Sequence, residues 1–302
     1  MLRRFLKYSC CFALPILVAA GLGEAYLRSI PNPYKNKALW MKKNKDSVEI
    51  LVLGTSRAYY GINPKYFKHK AFNLAEVSER PDYTRFVMEK YAVGCKNLKT
   101  VILPTYYEQF LEHPFEVTEE WPRAIYYKLY MGCDFHSDFS KYAFEISSLS
   151  AAKVKIDEYW NGYETCDSLG FGVQYKLKYK KREEWNRMGR VEKFVNANTI
   201  QDTTYLHYNY ENIRKIAEIA NDNNIRLIFV EMPHSKAYRQ LVDSTQMAIN
   251  KRLFTQIQND YKVEFYNFYD DPRFENDDFF DFAHLTDFGA KKMTAILSEI
   301  IE

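Results

Sequence analysis

The sequence predicts an α/β protein: a parallel sheet of about five strands with helices on both faces, an N-terminal transmembrane helix, and a helical, Tyr-rich insert. Three observations carry this reading. Short β-branched runs alternate with amphipathic stretches from residue 48 to the C-terminus, the pattern of strands joined by crossover helices. A basic leader and an apolar run open the chain. Residues 105–204 separate the third strand from the next helix, far more than the ~2–6 residues of an ordinary connection.

Arg3, Arg4 and Lys7 precede an apolar run from Tyr8 to Leu22, interrupted by Pro15 and Gly21. A helix from about Phe5 to Tyr26 would span a membrane, with Lys7 at one interface and Glu24 at the other. Val18-Ala19-Ala20 resembles a cleavage site, so a signal peptide stays open, with an uncleaved anchor preferred. Either reading leaves the positive end in the cytoplasm and exports the rest. Residues 1–30 are therefore assigned to the anchor or signal segment and 31–302 to the α/β domain, with Asn32-Pro33-Tyr34-Lys35-Asn36 as the linker.

Val48–Leu53 reads as the first strand, ending in Gly54. Asn63-Pro64 reads as a helix start, Asn as cap and Pro in the first turn. Strands follow at 70–74 and 100–104, with a helix from about Pro81 to near Gly94 between them. The insert, 105–204, carries a helical pattern at Tyr142–Tyr159 and is read as a cap over the sheet's carboxyl edge. Ile213, Ile216, Ala217 and Ala220 mark a helix near 205–222. Strands at 226–230 and 263–266 flank a helix at about 238–259, and Phe288, Met293, Ile296, Leu297 and Ile300 mark a last helix at 287–300.

The 302 residues are 47% hydrophobic and 27% charged, which excludes a mainly disordered chain and a polytopic membrane protein. A net charge of +3 with no concentrated basic patch argues against nucleic-acid binding. Aromatics reach 17%, and a tyrosine surplus suits surfaces that grip polar chains. Cys10, Cys11, Cys95, Cys133 and Cys166 lack metal or redox spacing, and a Cys133–Cys166 disulfide is one arrangement they permit. His69, His113, His136 and His207 show no metal-ligand spacing either. No phosphate loop or dinucleotide fingerprint occurs, and no cofactor or metal is expected.

Two short motifs carry chemistry. Gly54-Thr55-Ser56 places a serine on a tight turn at a strand's carboxyl end, where its hydroxyl can face a cleft and its N–H a developing oxyanion. Read alone, it is also a turn serine or helix cap. Asp281-Phe282-Ala283-His284 follows the last strand, and its spacing lets the carboxylate fix the imidazole tautomer. Read alone, it is also a satisfied loop histidine. Together they form a nucleophile, general base and orienting acid: Ser56, His284 and Asp281.

On Leu51–Arg57, Tyr60–Pro64, Phe72–Ala75 and Asp281–Thr286 the chain resembles the SGNH/GDSL hydrolase superfamily. It is most similar to the membrane-anchored branch that includes the D-alanine-transfer protein of teichoic acid modification and the alginate acetylation proteins. The resemblance covers about 45–110 and 205–302 and implies a flavodoxin-like sheet. Thr55 replaces the family's Asp in its Gly-Asp-Ser block. The second block implies an oxyanion donor near Asn73 and Ala75, beside the Ser56 N–H, with Ala75 in place of glycine. The third block's asparagine is missing from Pro104-Thr105-Tyr106-Tyr107, leaving Thr105 or Tyr106 as substitutes. Losing one donor costs about 100-fold in rate, so weak hydrolysis is expected.

Arg57 reads either as an anion contact or as a helix-start surface charge. His234, after the fourth strand, reads as a substrate contact or, more readily, a surface loop histidine. The resemblance implies an extracytoplasmic serine esterase or O-acyltransferase acting on acyl esters of a cell-envelope glycan. A membrane-bound O-acyltransferase is a candidate partner. The rival is a non-catalytic envelope protein that binds glycan or such a partner.

Overall fold

The computed structural model describes residues 1–135, 139–162, 165–199 and 202–302. The chain divides into two compact units: Met1–Ala38 with Phe115–Glu164, and Leu39–Pro114 with Thr165–Glu302. The 105–204 segment is thus shared between them. Its helices are α5 (Pro122–Tyr126), α6 (Phe139–Tyr142), α7 (Leu149–Trp160) and α8 (Met188–Asn198). His136 lies outside the described residues.

The larger unit is built on five parallel strands: β1 (Ile50–Val52), β2 (Ala71–Asn73), β3 (Thr100–Thr105), β4 (Arg226–Glu231) and β5 (Val263–Asn267). Their order is β2-β1-β3-β4-β5, the doubly wound order of flavodoxin-like folds. Successive residues of a strand face opposite ways. Val52, Ile102, Ile228 and Val230 share one core cluster with Ala58 of α3 (Ser56–Gly61) and with Met293 and Leu297 of α12 (Asp287–Ile301). Phe229 points the other way, its ring 5.1 Å from Phe254 of α11 (Ser244–Asp260). Helices therefore cover both faces, as the alternating sequence predicts. α4 (Pro81–Val87) and α9 (Leu206–Asp222) pack on each other, and α9 also packs on β4.

In the smaller unit, α1 runs from Leu2 to Ser29 and is long and apolar enough to cross a membrane. It fits a membrane anchor or a signal sequence.

Several boundaries differ from expectation. The linker at 32–36 is instead the start of α2 (Pro33–Asn44): the Asn32 side chain accepts the Tyr34 N–H, and Pro33 tolerates the first turn, where no N–H partner is needed. Asn63 does cap, accepting the Lys65 N–H, but Pro64–Tyr66 is a single 3₁₀ turn. α4 widens into a π turn, Met88–Ala92, short of Gly94. The stretch 238–259 is two helices, α10 (Lys236–Arg239) and α11, because Asp243 caps a new start by accepting the Gln246 N–H. The helix expected from Tyr142 begins at Leu149, where Ser148 accepts the Ala151 N–H. Cys133 and Cys166 form no disulfide; all five cysteines are thiols.

Candidate active site

In doubly wound sheets the crevice lies beyond the carboxyl ends of the strands, where the strand order reverses. Here that point falls between β1 and β3. β1 leads into Gly54, whose φ of +109° turns the chain sharply. A Cβ there would sit 3.0 Å from Leu103 Cδ1, so glycine serves both the turn and the close packing. Ser56 then opens α3, with Thr55 O accepting the Ala58 and Tyr59 N–H groups. Among the described residues, no acceptor meets the Ser56 N–H, as expected at a helix start.

The partner segment follows β5. An antiparallel bridge between Phe279 and Leu285 closes a tight loop, reinforced by the Phe280 N–H donating to His284 O at 2.8 Å. Beyond it Thr286 caps α12 by accepting the Gly289 N–H, and its own N–H donates to Asp278 O. Asp281 and His284 thus stand on a loop pinned at both ends.

The structure brings Ser56, His284 and Asp281 together. Ser56 Oγ lies 2.9 Å from His284 Nε2, and His284 Nδ1 lies 3.0 Å from both Asp281 oxygens. Asp281 Oδ1 also accepts the Ala283 and His284 N–H groups, each at 2.9 Å. Burial opposes the Asp281 charge, but His284 and these two N–H groups outweigh it and hold the carboxyl below its usual range. The acceptor carboxylate assigns the proton to Nδ1, leaving the Nε2 lone pair to receive the Ser56 hydroxyl hydrogen.

Aromatic rings flank the imidazole. Tyr175 stands edge-on to His284 at 5.3 Å and Tyr60 at 6.2 Å. Tyr60 stacks on Tyr175 at 3.8 Å, and Tyr175 on Phe280 at 4.2 Å. Sequence reasoning missed Tyr175. Only the general richness of the insert in tyrosine pointed toward it.

The other expected residues are placed differently. The Asn73 amide donates to Ala58 O and Ile62 O, and its Oδ1 accepts the Ala75 N–H at 3.0 Å. The Asn73 amide is committed to α3 and the residue after it, and the Ala75 N–H to the Asn73 side chain, which leaves the Ser56 N–H. Thr105 and Tyr106 do not replace the missing asparagine either. Thr105 donates its hydroxyl to Glu231 Oε2 at 2.6 Å, and Tyr106 donates to Glu112 Oε2 at 2.6 Å.

Neither Arg57 nor His234 is on the surface. Arg57 is 5% exposed, its Nη1 3.7 Å from Glu108 and its Nη2 3.3 Å from the Tyr238 hydroxyl. Burial opposes its charge, yet Glu108, Tyr238, Glu231 and Tyr106 raise its pKa further. His234 is 1% exposed, stacked on Tyr238 with ring centroids 4.6 Å apart and Nε2 3.5 Å from Glu231. Its pKa is lowered by burial and by Arg57, despite the pull of Glu231. Tyr238 in turn lies parallel to Phe282, between Asp281 and His284. Glu108, Glu231 and Tyr238 are thus neighbours that the sequence did not single out; Glu231, three residues before His234, was the nearest signal.

A protein-family model that carries no descriptive name matches residues 98–302, more than half of the chain. The chain belongs to that family. The matched span includes Asp281 and His284 and begins after Ser56. No curated protein matches the chain. Twenty chains of solved structures do. One is a GDSL-like lipase from Bacteroides thetaiotaomicron, with 13% identity, coverage of 89% of this chain and 96% of that one, and a TM-score of 0.43. Another is a provisionally named acylhydrolase from Bacteroides fragilis, with 12% identity, 87% and 93% coverage, and a TM-score of 0.42.

Proposed function

We propose that the chain is an SGNH-type serine acyl-transfer enzyme, held at the membrane by α1, that acts on acyl esters of a cell-envelope glycan. One observation carries the proposal: Ser56, His284 and Asp281 stand in hydrogen-bonded sequence although Ser56 and His284 are 228 residues apart in the chain. Ser56 Oγ attacks the acyl carbonyl as its proton passes to His284 Nε2, and Asp281 stabilises the imidazolium. The Ser56 N–H donates to the oxyanion. His284 returns the proton to the departing alcohol, leaving acyl-Ser56. It then takes a proton from the incoming hydroxyl, which attacks the acyl carbon, and passes that proton to Ser56 Oγ as the acyl–serine bond breaks. A glycan hydroxyl as acceptor gives O-acyl transfer, and water gives hydrolysis.

The glycan assignment draws on the motifs shared with the anchored branch. The basic leader Arg3-Arg4 supports an orientation with the larger unit outside the cytoplasm.

A second reading, a non-catalytic envelope protein that binds glycan or an acyltransferase partner, is favoured by the commitment of Asn73 and the Ala75 N–H to the fold. Treating the full-length chain with a fluorophosphonate probe and measuring intact mass separates the two. The enzyme reading expects one adduct, lost in Ser56→Ala and His284→Ala. A folded native protein that takes no adduct favours the binding reading, and an adduct that survives Ser56→Ala refutes the site.

A further inference from the structure

We propose that α7 lies in the headgroup boundary of the bilayer that α1 crosses, so that the smaller unit binds a phospholipid surface as well as being tethered to it. This rests on reading α1 as an uncleaved anchor.

α1 has no buried residue along its apolar run, where only Ala20 is partly covered, and first becomes buried at Glu24. The bare length, from Leu2 to Leu22, is about 30 Å, the thickness of a bilayer's hydrocarbon core. Directly beyond it the helix is clasped. The Glu24 carboxylate accepts the Glu145 and Ile146 N–H groups at 3.1 and 3.0 Å. Arg28 donates to Ala143 O at 3.0 Å. Lys155 donates to Leu27 O at 2.9 Å and to both oxygens of Glu145. Trp160 Nε1 donates to the Tyr26 hydroxyl at 3.0 Å. Leu27 and Ile30 cluster with Ala152, and Ile146 and Ile156 pack against them.

These contacts orient α7. From Leu149 to Trp160 it is about 17 Å long, yet its partners on α1 lie between Tyr26 and Ile30, about 6 Å of helix. α7 therefore crosses α1 rather than running beside it. An α1 that spans the bilayer leaves α7 near the membrane plane, within a few residues of where the apolar run ends.

The outer side of α7 suits that position. Leu149 is 74% exposed and Trp160 is 75% exposed, and Phe144, Val154 and Tyr159 are exposed as well. Leu149, Lys153 and Trp160 recur at helical spacing on one exposed stripe, with Asp157 between the last two. Trp160 and Tyr26 form an aromatic pair at the level expected of an interfacial belt, and the Lys153 amine can reach lipid phosphate while its stem stays on apolar surface. The bilayer is the occupant because the patch is continuous with the segment already in it.

The test uses the full-length chain in vesicles of phosphatidylethanolamine and phosphatidylglycerol. The photoreactive residue p-benzoylphenylalanine replaces Phe12, Leu149, Trp160 or Tyr179, one at a time, and lipid adducts are read by mass. The expected result is lipid adducts at 12, 149 and 160, each in higher yield than at the exposed Tyr179 position of the larger unit. Adducts at 12, with yields at 149 and 160 no higher than at 179, overturn the interfacial placement and leave the anchor intact. Absence of adducts at 12 overturns the anchor itself. Crosslinks from 149 or 160 to another polypeptide would assign the patch to a protein partner and overturn the proposal.

Discussion

Replacing Asp281 with Asn is the sharpest test of the site, because it changes one proton's position and little else. Asp281 Oδ1 accepts the Ala283 and His284 N–H groups, and both oxygens face His284 Nδ1 at 3.0 Å. An Asn amide keeps one oxygen for the two backbone groups and turns its NH₂ toward Nδ1. Nδ1 must then accept, so the imidazole proton moves to Nε2 and points at Ser56 Oγ, 2.9 Å away. The serine then has no base. The wrong tautomer costs on the order of 10⁴ in rate, about 5 kcal/mol of transition-state stabilisation. The fold loses at most one charge-assisted hydrogen bond, about 1.5–3 kcal/mol. The assay is the second-order rate of fluorophosphonate adduct formation at Ser56, with thermal melting beside it. A folded Asp281→Asn protein that reacts within about tenfold of the native rate refutes the argument, since a tautomer-bound base predicts the larger loss.

Other outcomes follow from the buried groups. Arg57→Met leaves Glu108 buried beside Tyr238 without its cation, and breaking such a pair costs about 3–5 kcal/mol. Urea unfolding reads this, and a loss under about 1 kcal/mol would show that the pair contributes little. Glu112 is pushed from an ordinary 4.5 up to about 8 by burial, against the pull of Arg80. Because the folded pKa is the higher one, its contribution to stability is fully present below the unfolded value and is lost as pH rises through about 8. The stability of the native protein relative to Glu112→Gln should therefore fall between pH 5 and 9, and a flat difference in denaturant midpoints across that range sinks the assignment. Gly289→Ala drives a Cβ into the Asp278 carbonyl, which itself accepts the Thr286 N–H, so it should lower stability by about 1–3 kcal/mol. A melting temperature equal to the native one contradicts that packing.

The strands were legible because each is a short apolar run, β-branched in all but β2, and all five stand within two residues of where the sequence places them. The Ser56 and Asp281–His284 motifs were legible because local spacing creates their geometry. What stayed hidden depends on long-range partners. Arg57 and His234 read either as substrate contacts or as surface groups because nothing local reveals that Glu108, Glu231 and Tyr238 enclose them. Asn73 read as a donor for catalysis, yet its amide is used by two carbonyls of and beside α3. Asn32-Pro33 and Asn63-Pro64 are the same dipeptide, yet one opens a three-turn helix and the other a single 3₁₀ turn.

The 228 residues between Ser56 and His284 also set a clock. At about 5–20 residues per second, the ribosome makes the serine on the order of 10–45 s before the histidine. The imidazole sits on a loop that is pinned where Thr286 caps α12 and donates its N–H to Asp278 O. Until residues 281–301 have left the ribosome, Ser56 therefore lacks the hydrogen-bond partner that distinguishes it from any other turn serine.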